Sequence, residues 1–444
     1  MFKNYIKIAA RNLWRNKLFS LIKILGLSIG LTVCMLIFLY TKDEISFDQF
    51  HENKSHLFRI TQDWHMGNQP EQTIGITNGV MGEAFGKEIP EVQQFVRING
   101  VAVTVKKNND VITENPLFVD SNYLSVFTFP LIEGNRRTAL HDPHSVVLSK
   151  DMARKYFGTT DVAGNVMQIK IDTAFEDFTV TGVTENSPLN SMLKADMLMP
   201  YSFYKNYNDN TGWIGGSLNT FLLLSEKADV PAVVRKMQTL FDKNTKDQIT
   251  QAAKEQGMAI KINLGLQPLT DIHLSTKTGP DNGMSDGSSP TYSYILSSIA
   301  LFILLIACIN FINLAVAQSL KRSKEIGIRK VIGSTKKQLI IQFLIESFLV
   351  TSIAFLLAVA LTQLILPFFN DMANKKLSLT YLSDGYLYAG YFILLLITSF
   401  IAGFYPSLVL SSFQPVKVLY NRDKINSKNY FTRALVVLQF ALAI

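Results

Sequence analysis

The chain has 444 residues, 48% hydrophobic and 18% charged, with a mean hydropathy of +0.17 and a formal net charge of +8. That is too apolar for an ordinary soluble enzyme and too polar to lie wholly within a bilayer, so a mixed membrane protein is expected. Residues 41–290 carry 23 basic and 30 acidic side chains, net −7, and the remainder 20 and 5, net +15. Basic charge beside apolar segments marks loops held on the cytoplasmic side, and it argues against a nucleic-acid-binding face, which would concentrate the charge on the folded domain. Cys34 and Cys308 both fall in apolar segments. The polar region therefore has no internal disulfide and must hold together by its core.

Residues 1–20 place Lys3, Lys7, Arg11 and Arg15 at spacings of four, with Phe2, Ile6, Ala9 and Leu13 on another face and Trp14 nearby. This predicts a cytoplasmic, interfacial amphipathic helix. A first span is expected over 21–40, of which 24–40 is free of charge; that is long enough to cross a bilayer. The following Thr41-Lys42-Asp43-Glu44 offers no small-residue cleavage site, so the span is read as an uncleaved anchor with its amino end in the cytoplasm. Gly26-Leu27-Ser28-Ile29-Gly30 matches both a nucleophile elbow and a GxxxG packing motif. An elbow needs a strand before it and a helix after it, and a continuous membrane helix has neither, so Gly26 and Gly30 are read as helix-packing residues.

Residues 41–290 are expected to form an extracytoplasmic α+β domain. From Asp43 a charged helix should continue out of the membrane and turn into a strand. His51, Glu52 and His56 imitate a zinc motif, but the histidines are five apart rather than four, so a solvated stalk is the better account. A hairpin is predicted over 101–113, a helix over 149–157 with a serine cap and Gly158 as its stop, strands over 166–171 and 178–183, and a long helix opening at Asp229-Val230-Pro231. All six histidines lie in this domain, yet only His141 and His144 are close in sequence, and no metal site is expected. Residues 277–290 read as a flexible linker. A second elbow pattern there, Gly283-Met284-Ser285-Asp286-Gly287, again lacks the preceding strand.

Three further spans are expected at 294–318, 338–369 and 386–410. The loop 319–337 between the first two has seven Lys/Arg against one acid, and a short helix over 324–332 is expected to break at Gly333 before Thr335 and Gln338 cap the next. Glu346 lies about 12 Å of helix rise into the third span. A structural or coupling role for it is favoured over ion translocation, since only a deeper charge would demand a function. Pro406 should kink or end the fourth span. A basic tail, 411–434, precedes an apolar run at 435–444 that is too short to cross.

The words of the chain carry a resemblance. KEIGIRKVIGSTKKQL at 324–339 with IQFLIES after it, FVDSNYLSVFTFPLIEGN at 118–135, VVLSKDMARKYFG at 146–158, FTVTGVTENSPLNSMLKADML at 178–198 and GFYPSLVLSSFQPVKVL at 403–419 resemble the FtsX/MacB-type permeases of ABC transporters. The resemblance implies an α-helical membrane protein of four transmembrane helices plus the start of a fifth, with an inserted MacB-like α+β domain. The faint echo of the amino terminus in 428–444 fits the first half of a two-repeat permease.

It also implies a coupling helix, with Lys324, Glu325, Ile326, Gly327, Ile328, Arg329 and Lys330 as docking residues, the charges for recognition and the apolar edge for anchoring. Glu346 could take part in that coupling. No G-x-x-x-x-G-K-[ST] occurs, so ATP would be bound by a separate ATP-binding subunit and the chain itself needs no cofactor. Other implied partners are a second permease half or a homodimer mate, the lipid bilayer, and a periplasmic or outer-membrane protein. The expected place is the inner membrane, and the expected task is export of a drug, antimicrobial peptide or lipoprotein. Control of an envelope enzyme or signalling system is the alternative. A membrane-anchored hydrolase is more remote, since no nucleophile or metal cluster stands out in 41–290.

Overall fold

The structure, a computed structural model, describes residues 2–205, 212–375, 377–379, 385–412 and 430–443. It forms two compact units, Met1–Lys42 with Thr291–Ile444, and Asp43–Pro290. The chain begins with α1 (Phe2–Arg15) and α2 (Lys17–Ile45). The second helix runs past both ends of the expected span. Within it the Ser28 hydroxyl donates to the Leu25 carbonyl at 2.9 Å, and the helix continues unbroken on both sides, which leaves no elbow.

Among the described residues, the Asp43–Pro290 unit is a mixed sheet with five α-helices. Its strands are β1 (Leu57–Met66), β2 (Gln72–Ile74), β3 (Val92–Gly100), β4 (Val103–Lys107), β5 (Asp110–Glu114), β6 (Leu117–Val119) and β7 (Leu131–Gly134). There follow β8 (Ser145–Ser149), β9 (Val166–Lys170), β10 (Phe175–Thr184), β11 (Met197–Pro200), β12 (Asn219–Leu224) and β13 (Ile260–Pro268). The helices are α3 (Gly79–Glu88), α4 (Tyr123–Val126), α5 (Lys150–Phe157), α6 (Tyr201–Tyr204) and α7 (Val230–Gln256). Strand order is β13-β1-β12-β3-β6-β11-β8-β10-β9-β4-β5, with β2 on β1 and β7 on β10. Two pairs, β8 with β10 and β6 with β11, are parallel.

Two lobes share this ladder. In one, Phe85 of α3 and Val233, Met237 and Phe241 of α7 cluster with Ile60, Leu222, Ile262 and Leu264. In the other, Ala153 of α5 packs with Val146, Leu148, Ile169, Phe178 and Val180. A third cluster, including Val96, Ile98, Leu117, Leu198 and Phe221, joins them. Each large side chain buried here contributes about 1.5–3 kcal/mol, which lets the unit hold without a disulfide. Local signals agree with the packing. Ser149 caps α5 by accepting from the Met152 amide, and Gly158 ends it at φ +77°.

Two expectations for this unit are corrected. The stretch after α2 is core, not a solvated stalk: Asp48 and His51 are buried, as are Glu44 and His273. Asp48 Oδ1 accepts from Ser191 Oγ at 2.9 Å, and His51 Nδ1 accepts from the Thr128 amide at 3.0 Å. The His273 ring stacks on Phe47 with centroids 3.4 Å apart, its Nε2 lying 3.5 Å from Glu44. Phe47 and Phe50 join the central cluster and carry the polar residues in with them. Residues 277–290 form a packed strap. Arg59 donates to the carbonyls of Gly279 (2.9 Å) and Thr278 (3.1 Å), and Asn219 Nδ2 donates to those of Asp281 (2.7 Å) and Asn282 (3.2 Å). Gly100 and Gly283 meet so closely that a Cβ on Gly100 would lie 2.5 Å from Gly283 Cα.

The chain re-enters the helical unit through α8 (Pro290–Val331), followed by α9 (Lys336–Ala373), α10 (Gly385–Ser412) and α11 (Tyr430–Ala443). Helices α2, α8, α9 and α10 are each long and apolar enough to cross a membrane. The short helix expected over 324–332 is not a separate element. It is the last part of α8, because nothing between Gln318 and Lys330 breaks a helix, and Gly333 at φ +105° is where the chain turns. Helix α10 likewise passes through Pro406 rather than ending there. The expected tail lies largely outside the described residues. Helix α2 sits centrally, with Leu27, Leu31 and Met35 fully buried beside Leu304 and Cys308 of α8 and Ala354 and Ala358 of α9. Gly30 permits the approach: a Cβ there would meet Ala307 Cβ at 2.9 Å, while one on Gly26 would face Asn310 Nδ2 at 3.5 Å.

Candidate functional site: the turn between α8 and α9

The end of α8 presents two different faces. Ile326 is buried with Leu339 and Phe343 of α9 and Leu410 of α10, and Gly327 is buried beside it. Arg329 Nη1 donates to Gln342 Oε1 at 3.1 Å, and Lys330 Nζ donates to the Ser411 carbonyl at 2.7 Å. Both charges thus bind the turn to α9 and α10. Gly333 then reverses the chain, and Thr335 and Gln338 form the expected capping box, each side chain accepting from the other's backbone amide.

The opposite face is apolar. Ile328 is 52% exposed, Val331 67% and Ile332 80%. Arg329 and Lys330 thus contact their own chain, while Ile328, Val331 and Ile332 are exposed. Alternation of charged and apolar residues along a helix does not reveal which face its neighbours take. The side chains of Lys324 and Glu325 lie outside the described part.

Glu346 lies one helical turn further along α9 than Gln342 and lines a recess formed with α1, α2, α8 and α10. A basic residue lines the same recess, Lys23, whose Nζ donates to Gln318 Oε1 at 2.7 Å. Its only sequence signal is a lone cation between Ile22 and Ile24 at the start of an apolar run. Such a placement puts the ammonium near a membrane surface.

Residues 20–240 match the family described as MacB-like periplasmic core domain, and residues 297–415 match the FtsX-like permease C-terminal family. The macrolide export ATP-binding/permease protein MacB of Bdellovibrio bacteriovorus is 27% identical over 238 residues, covering 52% of this chain and 31% of that protein. The ABC transporter permease YknZ of Bacillus subtilis is 22% identical over 367 residues, covering 80% of this chain and 84% of that one. Among solved structures, the periplasmic region of MacB from Actinobacillus actinomycetemcomitans covers 44% of this chain and 92% of that one, at 17% identity and a TM-score of 0.31. The chain spans about a third of the length of the MacB proteins it matches.

Proposed function

We propose that this chain, which belongs to the FtsX/MacB-like permeases, is the membrane subunit of an ABC system whose ATP is hydrolysed by a separate subunit. The observation that carries the reading is the outward apolar triad Ile328, Val331 and Ile332, on a turn that Arg329 and Lys330 fasten to α9 and α10. An apolar edge of this kind suits a groove on a cytoplasmic partner, where each buried side chain would contribute about 1.5–3 kcal/mol. Because the turn is tied to its bundle, a push on it is shared by α8, α9 and α10. Helix α8 runs without interruption from Pro290 to Val331, about 63 Å at the usual rise, so displacement at the turn can travel its length as in a rod.

In this reading the basic loops face the cytoplasm, the Asp43–Pro290 unit lies outside the plasma membrane, and the permease is not itself an enzyme. The work is export of a drug, peptide or lipoprotein; the MacB relatives carry the printed name of macrolide export proteins. The test is co-purification of the detergent-solubilised chain with P-loop ATPases from its native membrane. The wild type should retain such a subunit and stimulate it. Ile328→Asp with Ile332→Asp should lower both retention and stimulation at least tenfold while the chain's thermal transition is preserved. Retention equal to wild type would remove the turn from the docking surface.

A further inference from the structure

We propose that the outward face of α1 gathers anionic phospholipids in the leaflet at which α2 begins, so that this helix reads the charge of the membrane. The inference needs only that the chain spans a bilayer and does not depend on an ATPase partner.

The apolar face that the sequence offers to the interface is taken by the protein itself. Ala9 is buried, and Leu13 packs against the cluster shared by α2, α8, α9 and α10. Asn12 and Asn16 lie on that side too, lining the inner recess with Phe343 and Glu346 of α9. At the usual 3.6 residues per turn these four residues fall within an arc of about 100°, and Lys7, Arg11 and Trp14 lie opposite them. Lys7, Arg11, Trp14 and Arg15 are exposed, as are Lys17 and Leu18 just beyond. The surface left for the membrane is therefore the basic one.

An apolar stripe fixes what this face meets. Trp14 is 75% exposed and Leu18 68%, and Leu21, Ile22, Leu25 and Ile29 follow, all exposed and each three or four residues from its neighbour in the series. The stripe thus runs from α1 into the span without leaving one side of the helix. Along a span such a stripe faces hydrocarbon, and where Trp and cations take over it faces headgroups. Arg11 and Arg15 flank it on one side, while Lys17 lies with Nζ 5.3 Å above the Trp14 ring. Long basic side chains in that position lay their stems on apolar surface and carry the charge to the phosphates.

Charge selects the lipid. No acidic residue precedes Asp43, so these cations have no carboxylate in their own helix. A zwitterionic headgroup brings a cation of its own to each phosphate, whereas phosphatidylglycerol carries net negative charge and is drawn to Lys and Arg at the surface. An acidic protein surface would match the cations but not a stripe that continues into the bilayer. An anionic lipid supplies both the charge and the acyl chain.

The experiment uses the full chain in phosphatidylcholine vesicles with a small share of phosphatidylglycerol or phosphatidylcholine brominated near the glycerol end of its acyl chains, where bromine quenches nearby indole emission. Trp64 and Trp213 supply a background that the Trp14→Phe variant measures. At low salt brominated phosphatidylglycerol should quench Trp14 about threefold more than brominated phosphatidylcholine, and added salt should remove the difference. Arg11→Gln with Arg15→Gln should at least halve the preference, whereas Arg11→Lys with Arg15→Lys should keep it, with thermal transitions showing that both chains are intact. The salt titration of the wild type decides the matter if the glutamine pair does not fold. Equal quenching by the two lipids in the wild type, or a preference that neither salt nor the glutamine pair diminishes, would overturn the reading of charge. Quenching of Trp14 by neither lipid would overturn the placement of this face on the bilayer and leave it to solvent or a protein partner.

Discussion

Arg59 is fully buried, and its guanidinium is pushed down to about 10 by desolvation, an effect partly opposed by Asp281. A cation in such a place persists only where its donors are met. Here the carbonyls of Thr278 and Gly279 and the Gln267 side chain meet those of the two terminal nitrogens, the last at 2.7 Å, while Nε is buried without a partner. Gly75 is part of the arrangement, because a Cβ there would collide with the guanidinium. The strap 277–290 is thereby held by a residue some 220 positions earlier. Arg59→Met should leave the Gly279 carbonyl without its Arg59 donor and the Thr278 carbonyl with only the 3.5 Å bond from Gln267 Nε2, and destabilise the unit by about 2–4 kcal/mol. A lowered thermal midpoint with new protease cleavage inside 277–290 is the expected result, and an unchanged midpoint would show that the strap is held otherwise.

Among the elements, α2 and α8 meet closely at Gly30, where an added Cβ would lie 2.9 Å from Ala307 Cβ. Alanine there already asks Ala307 to move by a few tenths of an ångström, and a leucine would force the helices apart. Gly30→Leu should therefore cost about 1–3 kcal/mol by overpacking, and the solubilised chain should aggregate at a lower temperature than wild type. A transition as high as wild type would mean that α8 yields freely at this point. Gly30 was readable in advance because small-residue spacing is a local signal, and so were the caps at Ser149, Gly158 and Thr335. What was not legible depends on distant partners. Residues 277–290 have the composition of a linker, and nothing local announces Arg59 or Asn219. The charges after Asp43 read as solvated, because only the tertiary fold places Ser191 and Thr128 against Asp48 and His51. At the candidate site, the turn at Gly333 and its cap at Thr335 were legible, but the facing of the residues before it was not. Gln342 and Ser411, which draw Arg329 and Lys330 inward, belong to helices whose rotation the sequence does not state.

For the whole molecule, the Asp43–Pro290 unit has its own clusters and is joined to the helical unit through only two points of the chain. Excised at those points it should fold as a soluble domain. Two lobes could melt separately, but the sheet is continuous through them, and Val96, Ile98, Leu117, Leu198 and Phe221 belong to a cluster that neither lobe completes alone. A single calorimetric transition is therefore expected, with an unfolding enthalpy of about 170 kcal/mol near 60 °C from the usual value per residue. Equality of the calorimetric and van't Hoff enthalpies would establish that the lobes unfold together, so that a force applied at either end of the domain is carried through both. A van't Hoff value near half the calorimetric one would mean that the lobes uncouple at the central cluster. In that case the two lobes would move as separate bodies about that cluster, and the domain would be a hinge rather than one rigid piece.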